Sequence, residues 1–260
     1  MDLQLKEKVV VVTGGAKGIG ASIVRACGEE GAIPVIVGRS ADAANELQSQ
    51  LHRDRVTSHF IHVELADPVN CRKAVDETIR TFGRIDGLVN NAGRNDGVGL
   101  ERGDPDRFIE SIKENLLHYY AMAHYALPYL KRARGSIVNI GSKVATTGQG
   151  NTSGYAASKG GILGLTREWA AELLPYSIRV NCVIPAEVMT PLYGSWLKTF
   201  PNPEEKLRTI LSKIPLEKRM TKDAEIAAMT VFLLSAQSGH TTGQEIYVDG
   251  GYVHLDRALT

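Results

Sequence analysis

A tyrosine and a lysine four residues apart could carry acid–base chemistry in this 260-residue chain. Tyr155 and Lys159 begin a stretch of helical periodicity, so their spacing places both side chains on one helix face. A phenol has an ordinary pKa of about 10, and a neighbouring ammonium would lower it toward neutrality. Ser142 lies thirteen residues before Tyr155, where its hydroxyl could hold a substrate oxygen. The three residues predict proton transfer coupled to hydride transfer, although such a pair alone is often only a solvated helix face.

A glycine-rich loop near the amino terminus could bind a dinucleotide. Residues 13–20 carry glycines in the spacing GxxxGxG and lead from an apolar run directly into a helical stretch. Gly14 would allow a tight turn, Gly18 a close approach to a pyrophosphate, and Gly20 close packing of the helix on the strand. The free N–H groups and the dipole of the helix would face the anion. The alternative is a turn with a structural role only.

The residues after the second apolar run bear on the choice between NAD and NADP. An NAD site usually has an Asp or Glu here, and this chain has Gly38, Arg39 and Ser40, with no carboxylate to repel a phosphate. The guanidinium of Arg39 could bind a 2′-phosphate with two hydrogen bonds, and Lys17 could add a second positive charge. The prediction is NADP. The alternative is that both are solvated surface charges and that NAD is also accepted.

Composition excludes several classes of protein. Hydrophobic residues make up 43% of the chain, charged residues 23%, and the net charge is +1, so we expect a folded chain that binds neither nucleic acid nor an anionic membrane. No apolar stretch is long enough to span a bilayer, and the start lacks the order of a secretory signal. Three cysteines far apart indicate a reducing compartment, so we expect a cytoplasmic protein. The seven histidines form no ligand motif, so no metal site is expected.

Short apolar runs alternate with helical stretches along the whole chain. The predicted strands are residues 8–12, 33–37, 58–63, 87–90, 136–140, 178–183 and 245–248, and the predicted helices are 19–30, 41–51, 68–82, 106–132, 155–174 and 223–234. This order predicts one α/β domain over residues 1–260, a doubly wound Rossmann-type fold whose seven-stranded parallel sheet is flanked by helices. The alternation fails once, at about residues 187–220 after the sixth strand. That segment is predicted to be a lid, with a surface excursion as the alternative.

Taken together, the motifs resemble those of the short-chain dehydrogenase/reductase family. The resemblance extends from residue 6 to residue 252 and rests on TGGAKGIG at 13–20, NNAG at 90–93, RVNxxxP at 179–185 and DGG at 249–251. It implies that Tyr155 is the general acid–base and that Ser142 orients the substrate oxygen. It also implies that Lys159 holds the nicotinamide ribose and lowers the tyrosine pKa, and that Asn115 holds a water that links Lys159 to solvent.

The same resemblance implies a set of cofactor contacts. Val188 would bind the nicotinamide carboxamide through its backbone and Thr190 the cofactor phosphate. Glu64 and Leu65 stand where the family usually has Asp-Val against the adenine, and Ala186 replaces the usual glycine. The expected contacts are Gly14, Lys17, Gly18, Ile19, Gly20, Arg39, Glu64, Leu65, Asn90, Ala92, Gly93, Tyr155, Lys159, Val188 and Thr190.

The walls of the substrate pocket are polar if they lie where the family places them. Those positions hold Arg94, Asn95, Asp96, Lys143, Gln149, Glu187 and Trp196. Donors and acceptors favour a polyhydroxylated ligand over a steroid or acyl chain, and an indole could cover a sugar ring. The alternative is that the charged residues form a solvated rim. The predicted substrate contacts are Arg94, Ser142, Gln149, Glu187 and Trp196.

The ending DGGYVHLDRAL is similar to that of bacterial L-fucose dehydrogenases. This similarity implies oxidation of the anomeric hydroxyl of an aldose such as L-fucose to the lactone. A ketoreductase like the 3-oxoacyl carrier-protein reductases would share every cofactor motif and is the alternative. A catalytically inactive dinucleotide-binding sensor is more remote, because it would keep the glycine loop without needing Ser142, Tyr155 and Lys159.

The long helix predicted at 106–132 is more apolar than a single buried stripe requires. Family members commonly pair through this helix and the next one, so the resemblance implies a homotetramer, and the alternative is a monomer with a deeply buried helix. His118 and His124 on this helix are expected to serve packing or an interface. The tail at 252–260 could reach a neighbouring subunit.

Overall fold

A parallel sheet of seven strands forms the centre of the computed structural model, which describes residues 1–255. The strands are β1 (Val9–Thr13), β2 (Ile33–Gly38), β3 (His59–His62), β4 (Gly87–Asn90), β5 (Ser136–Ile140), β6 (Arg179–Pro185) and β7 (Glu245–Val248). Their order is β3-β2-β1-β4-β5-β6-β7, and every neighbouring pair is parallel. The predicted Rossmann-type sheet is confirmed, and in four of the seven strands an end differs from the expected one by one or two residues.

Helices cover both faces of this sheet. They are α1 (Gly18–Glu29), α2 (Ala41–Arg53), α3 (Pro68–Phe82), α4 (Pro105–Ile112), α5 (His118–Ala133), α6 (Ser153–Glu172), α7 (Pro191–Leu197), α8 (Pro203–Ser212) and α9 (Asp223–Leu234). Several begin where the sequence supplies a cap. Asp67 accepts a hydrogen bond from the N–H of Val69 over 2.9 Å, and Pro68 then opens α3. Gly83 ends α3 with a φ of 72°, a conformation that glycine adopts without strain.

The predicted helix at 106–132 is not one regular helix. A π-helical turn at Lys113–Leu117 separates α4 from α5. Such a turn adds one residue to the helical ring and is frequent at functional sites. Here the turn carries Asn115, which is fully buried. Helical periodicity over the whole stretch could not reveal a local insertion of one residue.

Two apolar cores lie on opposite faces of the sheet. The core beneath α3, α5 and α6 contains Tyr119, Met122, Leu130, Ile162 and Trp169. The core beneath α1, α2 and α9 contains residues such as Ile23, Leu47, Ile226 and Val231. Because the strands are covered on both faces, they read as continuous apolar runs and not as alternating ones. Each fully buried aliphatic or aromatic side chain contributes about 1.5–3 kcal/mol, so the two cores hold the strand ends in fixed positions.

The segment after β6 contains two helices of its own, α7 and α8. Both of its ends are joined, since Val188 and Thr221 form a parallel bridge. It exposes the side chains of Met189, Leu192 and Leu216, and Leu192 lies at the cavity described below. Its role as a lid stays a prediction.

The sequence also led to predictions about membrane-spanning segments and about the carboxyl-terminal tail. Within residues 1–255 no helix combines the length and the apolar character that crossing a membrane requires. Residues 256–260, the last part of the tail expected to reach a neighbouring subunit, lie outside the described residues.

Candidate active site

A cavity opens at the carboxyl ends of the strands, where the strand order reverses between β1 and β4. In an open α/β sheet this reversal leaves a crevice in which ligands bind. The loops that follow β1, β2, β3, β4, β5 and β6 all contribute to its wall. The glycine loop and the acid–base residues, which are far apart in the chain, therefore line one continuous cavity.

The glycine loop, residues 14–20, forms a narrow concave surface, here called the glycine cradle, in which larger residues would clash with neighbouring atoms. A Cβ on Gly20 would lie 2.2 Å from the carbonyl oxygen of Gly14, and one on Gly18 would lie 3.2 Å from the side chain of Thr190. The amide of Asn91 donates to the carbonyl of Thr13 over 2.9 Å and fixes the loop against the turn after β4. At the start of α1 no side chain caps the helix and no acidic residue stands in the first turn. These N–H groups can therefore receive an anion, as a dinucleotide phosphate requires.

The adenosine end of the cavity contains an ion pair. The Arg39 guanidinium lies 2.9 Å from a carboxylate oxygen of Glu64, and both side chains are more than half exposed. Burial alone would raise the pKa of Glu64, but the hydrogen bond and the charge of Arg39 lower it on balance. The three residues after β2 contain no carboxylate, but the loop after β3 brings that of Glu64 to Arg39.

Ser142, Tyr155 and Lys159 line the same cavity. Ser142 follows β5, and the two other residues lie in the first two turns of α6. Burial raises the pKa of Tyr155 to about 12, and a hydrogen bond with Ser142 acts in the opposite direction. Nζ of Lys159 lies 5.7 Å from the centre of the Tyr155 ring. The phenol is therefore protonated at neutral pH, and the expected lowering of its pKa by Lys159 stays a prediction.

Two acceptors hold the ammonium of Lys159. Its ammonium donates to the hydroxyl of Tyr119 over 3.0 Å and to the carbonyl of Ile140 over 2.7 Å. The residue is 2% exposed, and burial lowers its pKa to about 8. At neutral pH it is still mainly an ammonium, as a residue that orients a ribose and a phenolate must be.

The side chain of Asn115 ties the π-helical turn to the loop after β4. Its amide oxygen accepts a hydrogen bond from the N–H of Arg94 over 2.8 Å, and its amide nitrogen donates to the carbonyl of Ser111 over 3.0 Å. A Cβ on Gly93 would lie 2.9 Å from that amide oxygen, so only glycine allows this approach. Asn115 therefore shapes the wall near Lys159, and its expected role with water stays a prediction.

Most of the remaining residues expected to contact the cofactor line the cavity, whereas Asn90 does not. Lys17, Ile19, Leu65, Ala92, Gly93, Val188 and Thr190 line the cavity together with the glycine loop. Asn90 is fully buried behind it and donates to the amide oxygen of Asn139 over 3.0 Å. Thr190 caps α7, where its hydroxyl accepts from the N–H of Tyr193 over 3.2 Å.

The expected substrate residues separate into three groups. Arg94 lines the cavity and forms two hydrogen bonds with the carboxylate of Glu114, at 2.9 and 3.0 Å. Gln149 and Trp196 are exposed and lie outside the cavity wall, and Trp196 packs edge-on against Tyr193 and Phe200. The third group is formed by Glu187 and its neighbours.

Glu187 and Lys143 form an ion pair whose side chains are 9% and 13% exposed. The hydroxyl of Tyr193, which lines the cavity, donates to the other carboxylate oxygen of Glu187 over 2.6 Å. Nζ of Lys143 also lies 4.3 Å above the ring of Tyr252. These charges are not a solvated rim. They connect the residue after Ser142, the start of the segment after β6 and the carboxyl-terminal region.

Sequence reasoning did not identify Tyr119, Tyr193 or Glu114 as site residues, and it expected His118 to serve packing or an interface. His118 is 1% exposed and lines the cavity. Its Nε2 lies 3.0 Å from the carbonyl of Glu114, so this nitrogen must donate. Nδ1 is buried with no hydrogen-bond partner among residues 1–255, and burial lowers the pKa of the ring to about 4. A signal was present, since His118 and Tyr119 follow Asn115 at the spacings i+3 and i+4.

In residues 1–255 there is no group of three or more His, Cys, Asp or Glu side chains that could hold a metal ion. The polar groups that line the cavity include backbone N–H groups, hydroxyls, the ammonium groups of Lys17 and Lys159 and the guanidinium groups of Arg39 and Arg94. This donor set fits a nicotinamide dinucleotide, whose pyrophosphate needs N–H donors and whose ribose needs hydroxyl and ammonium partners.

Comparisons with known proteins agree with this geometry. Residues 14–253 match the family model described as enoyl-(acyl carrier protein) reductase. The L-fucose dehydrogenase of Oryctolagus cuniculus is 38% identical over 245 residues, which cover 94% of this chain and 84% of that protein. The 3-oxoacyl-[acyl-carrier-protein] reductase FabG of Thermotoga maritima is 35% identical over 254 residues, covering 96% of this chain and 100% of that protein.

Among solved structures, the Cj0485 dehydrogenase is 47% identical to this chain, with a TM-score of 0.94. The match covers 100% of this chain and 99% of that one. The similarity therefore includes the fold and extends over the segment after β6.

Proposed function

Because the chain belongs to the short-chain dehydrogenase/reductase family, it is an NAD(P)-dependent oxidoreductase, and we propose that it oxidises the anomeric hydroxyl of an aldose such as L-fucose to the lactone. The observation that carries the proposal is that Ser142, Tyr155 and Lys159 line one cavity with the glycine loop. The similarity to the rabbit L-fucose dehydrogenase over 94% of the chain supports the sugar as substrate.

The proton transfer follows from the positions of the three side chains. The hydroxyl of Ser142 donates to the substrate oxygen and holds it beside the phenol of Tyr155. The phenolate of Tyr155 takes the hydroxyl proton as the C1–H bond gives up its hydride. A bound nicotinamide dinucleotide supplies the hydride acceptor and a positive ring that favours the phenolate. Lys159 contributes its ammonium charge to the same phenolate.

Polar groups on the substrate side of Ser142 support a polyhydroxylated ligand. Arg94 and Tyr193 line the cavity. The Arg94 guanidinium has N–H donors beyond the two that Glu114 accepts, and the Tyr193 hydroxyl, whose proton goes to Glu187, can accept a hydrogen bond from a ligand. A site built for hydroxyl groups leaves buried polar atoms unpaired when a ligand lacks them, so it rejects apolar ligands. Trp196 stays a proposed contact that requires movement of the segment after β6 toward the cavity, and Gln149 one that requires movement of the loop between β5 and α6.

We propose NADP as the cofactor. Arg39 and Lys17 both line the cavity at the end where an adenosine ribose would lie. The pair of Arg39 and Glu64 is largely exposed, and such pairs are worth about 0–1 kcal/mol. A 2′-phosphate, which is a stronger acceptor, can therefore take Arg39 from Glu64. NAD is the alternative, because the carboxylate of Glu64 repels a phosphate.

A second candidate activity is the reduction of a 3-oxoacyl thioester, as in the carrier-protein reductases. The specific observation that favours it is the 35% identity to the FabG protein of Thermotoga maritima over the full length of that protein. The same acid–base residues would then protonate the substrate oxygen instead of deprotonating it.

The test is an activity screen of the purified protein. Each of NADP and NAD is combined with a panel of aldoses that includes L-fucose and D-arabinose, and acetoacetyl thioesters are assayed with NADPH. We expect sugar-dependent formation of NADPH with one lactone formed per NADPH. Absence of turnover across the aldoses would overturn the proposal, and turnover of the thioester alone would establish the ketoreductase.

We further propose a homotetramer in a reducing, cytoplasmic compartment. Tyr120 on α5 is 52% exposed, and its ring stacks on the exposed His124 and approaches Trp169 of α6. This pair of helices thus offers an aromatic surface for a second chain. The three cysteine thiols are buried and unpaired, as a reducing environment allows. Light scattering should give four times the mass of one chain, and a monomer would contradict the assembly.

A further inference from the structure

We infer that Tyr119 is a positioning residue for Lys159, whose ammonium it holds so that one N–H remains for a ligand in the cavity. The inference rests on the proposed function, because it assigns a part in the same proton transfer. An ammonium has three N–H donors. Within the described chain two of them have acceptors, the Tyr119 hydroxyl at 3.0 Å and the Ile140 carbonyl at 2.7 Å. Lys159 also lines the cavity, where the third can meet a ribose hydroxyl.

Tyr119 is itself fixed in place. Its hydroxyl donates to the carbonyl of Ile140 over 3.0 Å, and the residue is fully buried in the core beneath α5 and α6. Since the one proton of this hydroxyl is committed to Ile140, its oxygen can only accept from Lys159. Burial raises the pKa of Tyr119 well above the ordinary value, so it stays a neutral phenol. It therefore acts on Lys159 as a fixed dipole.

The other titratable groups that face Lys159 are uncharged from neutral to moderately alkaline pH. Tyr155 on the same helix and the thiol of Cys182 on β6 both have a pKa raised to about 12. His118, which precedes Tyr119 on α5, has a pKa lowered to about 4. The loop after β4 approaches Lys159 at Gly93, which has no side chain. No carboxylate thus stabilises the ammonium at short range within residues 1–255, and the acceptors from Tyr119 and Ile140 offset part of its loss of solvation.

The hydrogen bond from Lys159 to Tyr119 should raise the pKa of Lys159. A hydrogen bond to the charged form of a group favours that form. When the Tyr119 oxygen is removed, the ammonium loses one of two acceptors while burial is unchanged, so the pKa of Lys159 must fall further below its ordinary value. A purely structural role for Tyr119 would lower stability without moving this titration.

The experiment measures the dissociation constant of NADPH by its fluorescence as a function of pH, so it requires no turnover. In the wild type we expect binding to weaken as Lys159 loses its proton, near pH 8. Tyr119→Phe should move this midpoint down by about one pH unit, a tenfold change in proton affinity. Tyr120→Phe, the same substitution at the neighbouring exposed tyrosine, should leave it in place. A Tyr119→Phe midpoint that coincides with the wild type would overturn the inference.

A second variant covers the case in which Tyr119→Phe does not fold. Replacing Tyr119 by 4-fluorophenylalanine fills the space of the hydroxyl with a much weaker acceptor, and circular dichroism checks the fold of each variant. The same downward shift is expected, and a wild-type midpoint would contradict the inference. A silent sugar panel would refute the proposed function while leaving this titration measurable, so the two failures are distinguishable.

Discussion

The guanidinium of Arg39 and the carboxylate of Glu64 lie 2.9 Å apart, although 25 residues separate them in the chain. The register of the sheet brings them together. Gly38 at the end of β2 pairs with His62 at the end of β3, so the residues that follow each strand meet at the same edge. The adenosine end of the cavity therefore carries an ion pair at Arg39, where the order of residues alone suggested that this positive charge has no carboxylate beside it.

This pair predicts how cofactor preference should respond to charge. Glu64→Gln removes a carboxylate beside the proposed position of the 2′-phosphate, so kcat/KM for NADP should rise about threefold to tenfold while that for NAD stays nearly constant. Gly38→Asp adds a carboxylate and should weaken NADP while sparing NAD. An unchanged ratio of the two kcat/KM values in both variants would show that Arg39 does not bind a phosphate.

The buried ion pair of Lys143 and Glu187 should matter for stability. Lys143→Met leaves a carboxylate of low exposure without its cation, which should lower the free energy of unfolding by about 3 kcal/mol. The control is Lys113→Met, because Lys113 pairs with Glu110 at 3.3 Å on the surface. That variant should lose less than about 1 kcal/mol in the same denaturant titration. Equal losses in the two variants would contradict the assignment.

Stability in acid should depend on His118. Its pKa is lowered from 6.5 to about 4 because the ring is buried. Between these two values the unfolded chain binds a proton that the folded chain does not, so stability falls as the pH falls from 6.5 to 4. The loss amounts to about 3 kcal/mol, at about 1.4 kcal/mol for each pH unit.

His118→Gln should therefore flatten the decrease in unfolding free energy over this pH range. His124→Gln, on the exposed side of the same helix, controls for the loss of one histidine. A full decrease that persists in His118→Gln would assign the acid sensitivity to another group.

The glycine cradle gives a prediction that separates binding from folding. A Cβ at position 20 would lie 2.2 Å from the Gly14 carbonyl and 2.6 Å from the amide nitrogen of Asn91, so the loop must shift in Gly20→Ala. We expect NADPH binding at least about tenfold weaker. Gly164→Ala, where nothing lies within 4 Å of the new methyl group, should bind NADPH normally and gain about 0.5–1 kcal/mol of stability. Normal NADPH binding by Gly20→Ala would contradict the cradle.

The sequence predicted the strands well because each is a short apolar run between turn residues, and Gly87–Asn90, Ser136–Ile140 and Glu245–Val248 have the expected bounds. Through the resemblance to the family, it also assigned the glycine loop and the acid–base residues to one cofactor site. The sequence reveals these motifs because each consists of residues that are close together in the chain.

Contacts between distant segments could not be read in the same way. Tyr119 meets Lys159 across 40 residues, and helical periodicity cannot distinguish a tyrosine buried for packing from one that meets a buried ammonium. Lys143 and Glu187 meet because Ile140 on β5 pairs with Val183 on β6, a register that no single motif specifies. The π-helical turn at Lys113–Leu117 could not be predicted from the sequence either. It occurs together with a hydrogen bond between Asn115 and the distant loop after β4, and no local pattern specifies that contact.

The most direct test of the account is the turnover of Tyr155→Phe with the best aldose of the panel, measured beside NADPH binding by the same preparation. The variant keeps the ring and removes only the oxygen that exchanges the proton. The account predicts that kcat/KM falls by about 10²–10⁴ while the affinity for NADPH stays within about threefold of the wild type. Sugar oxidation at nearly the wild-type rate would show that another group takes the proton.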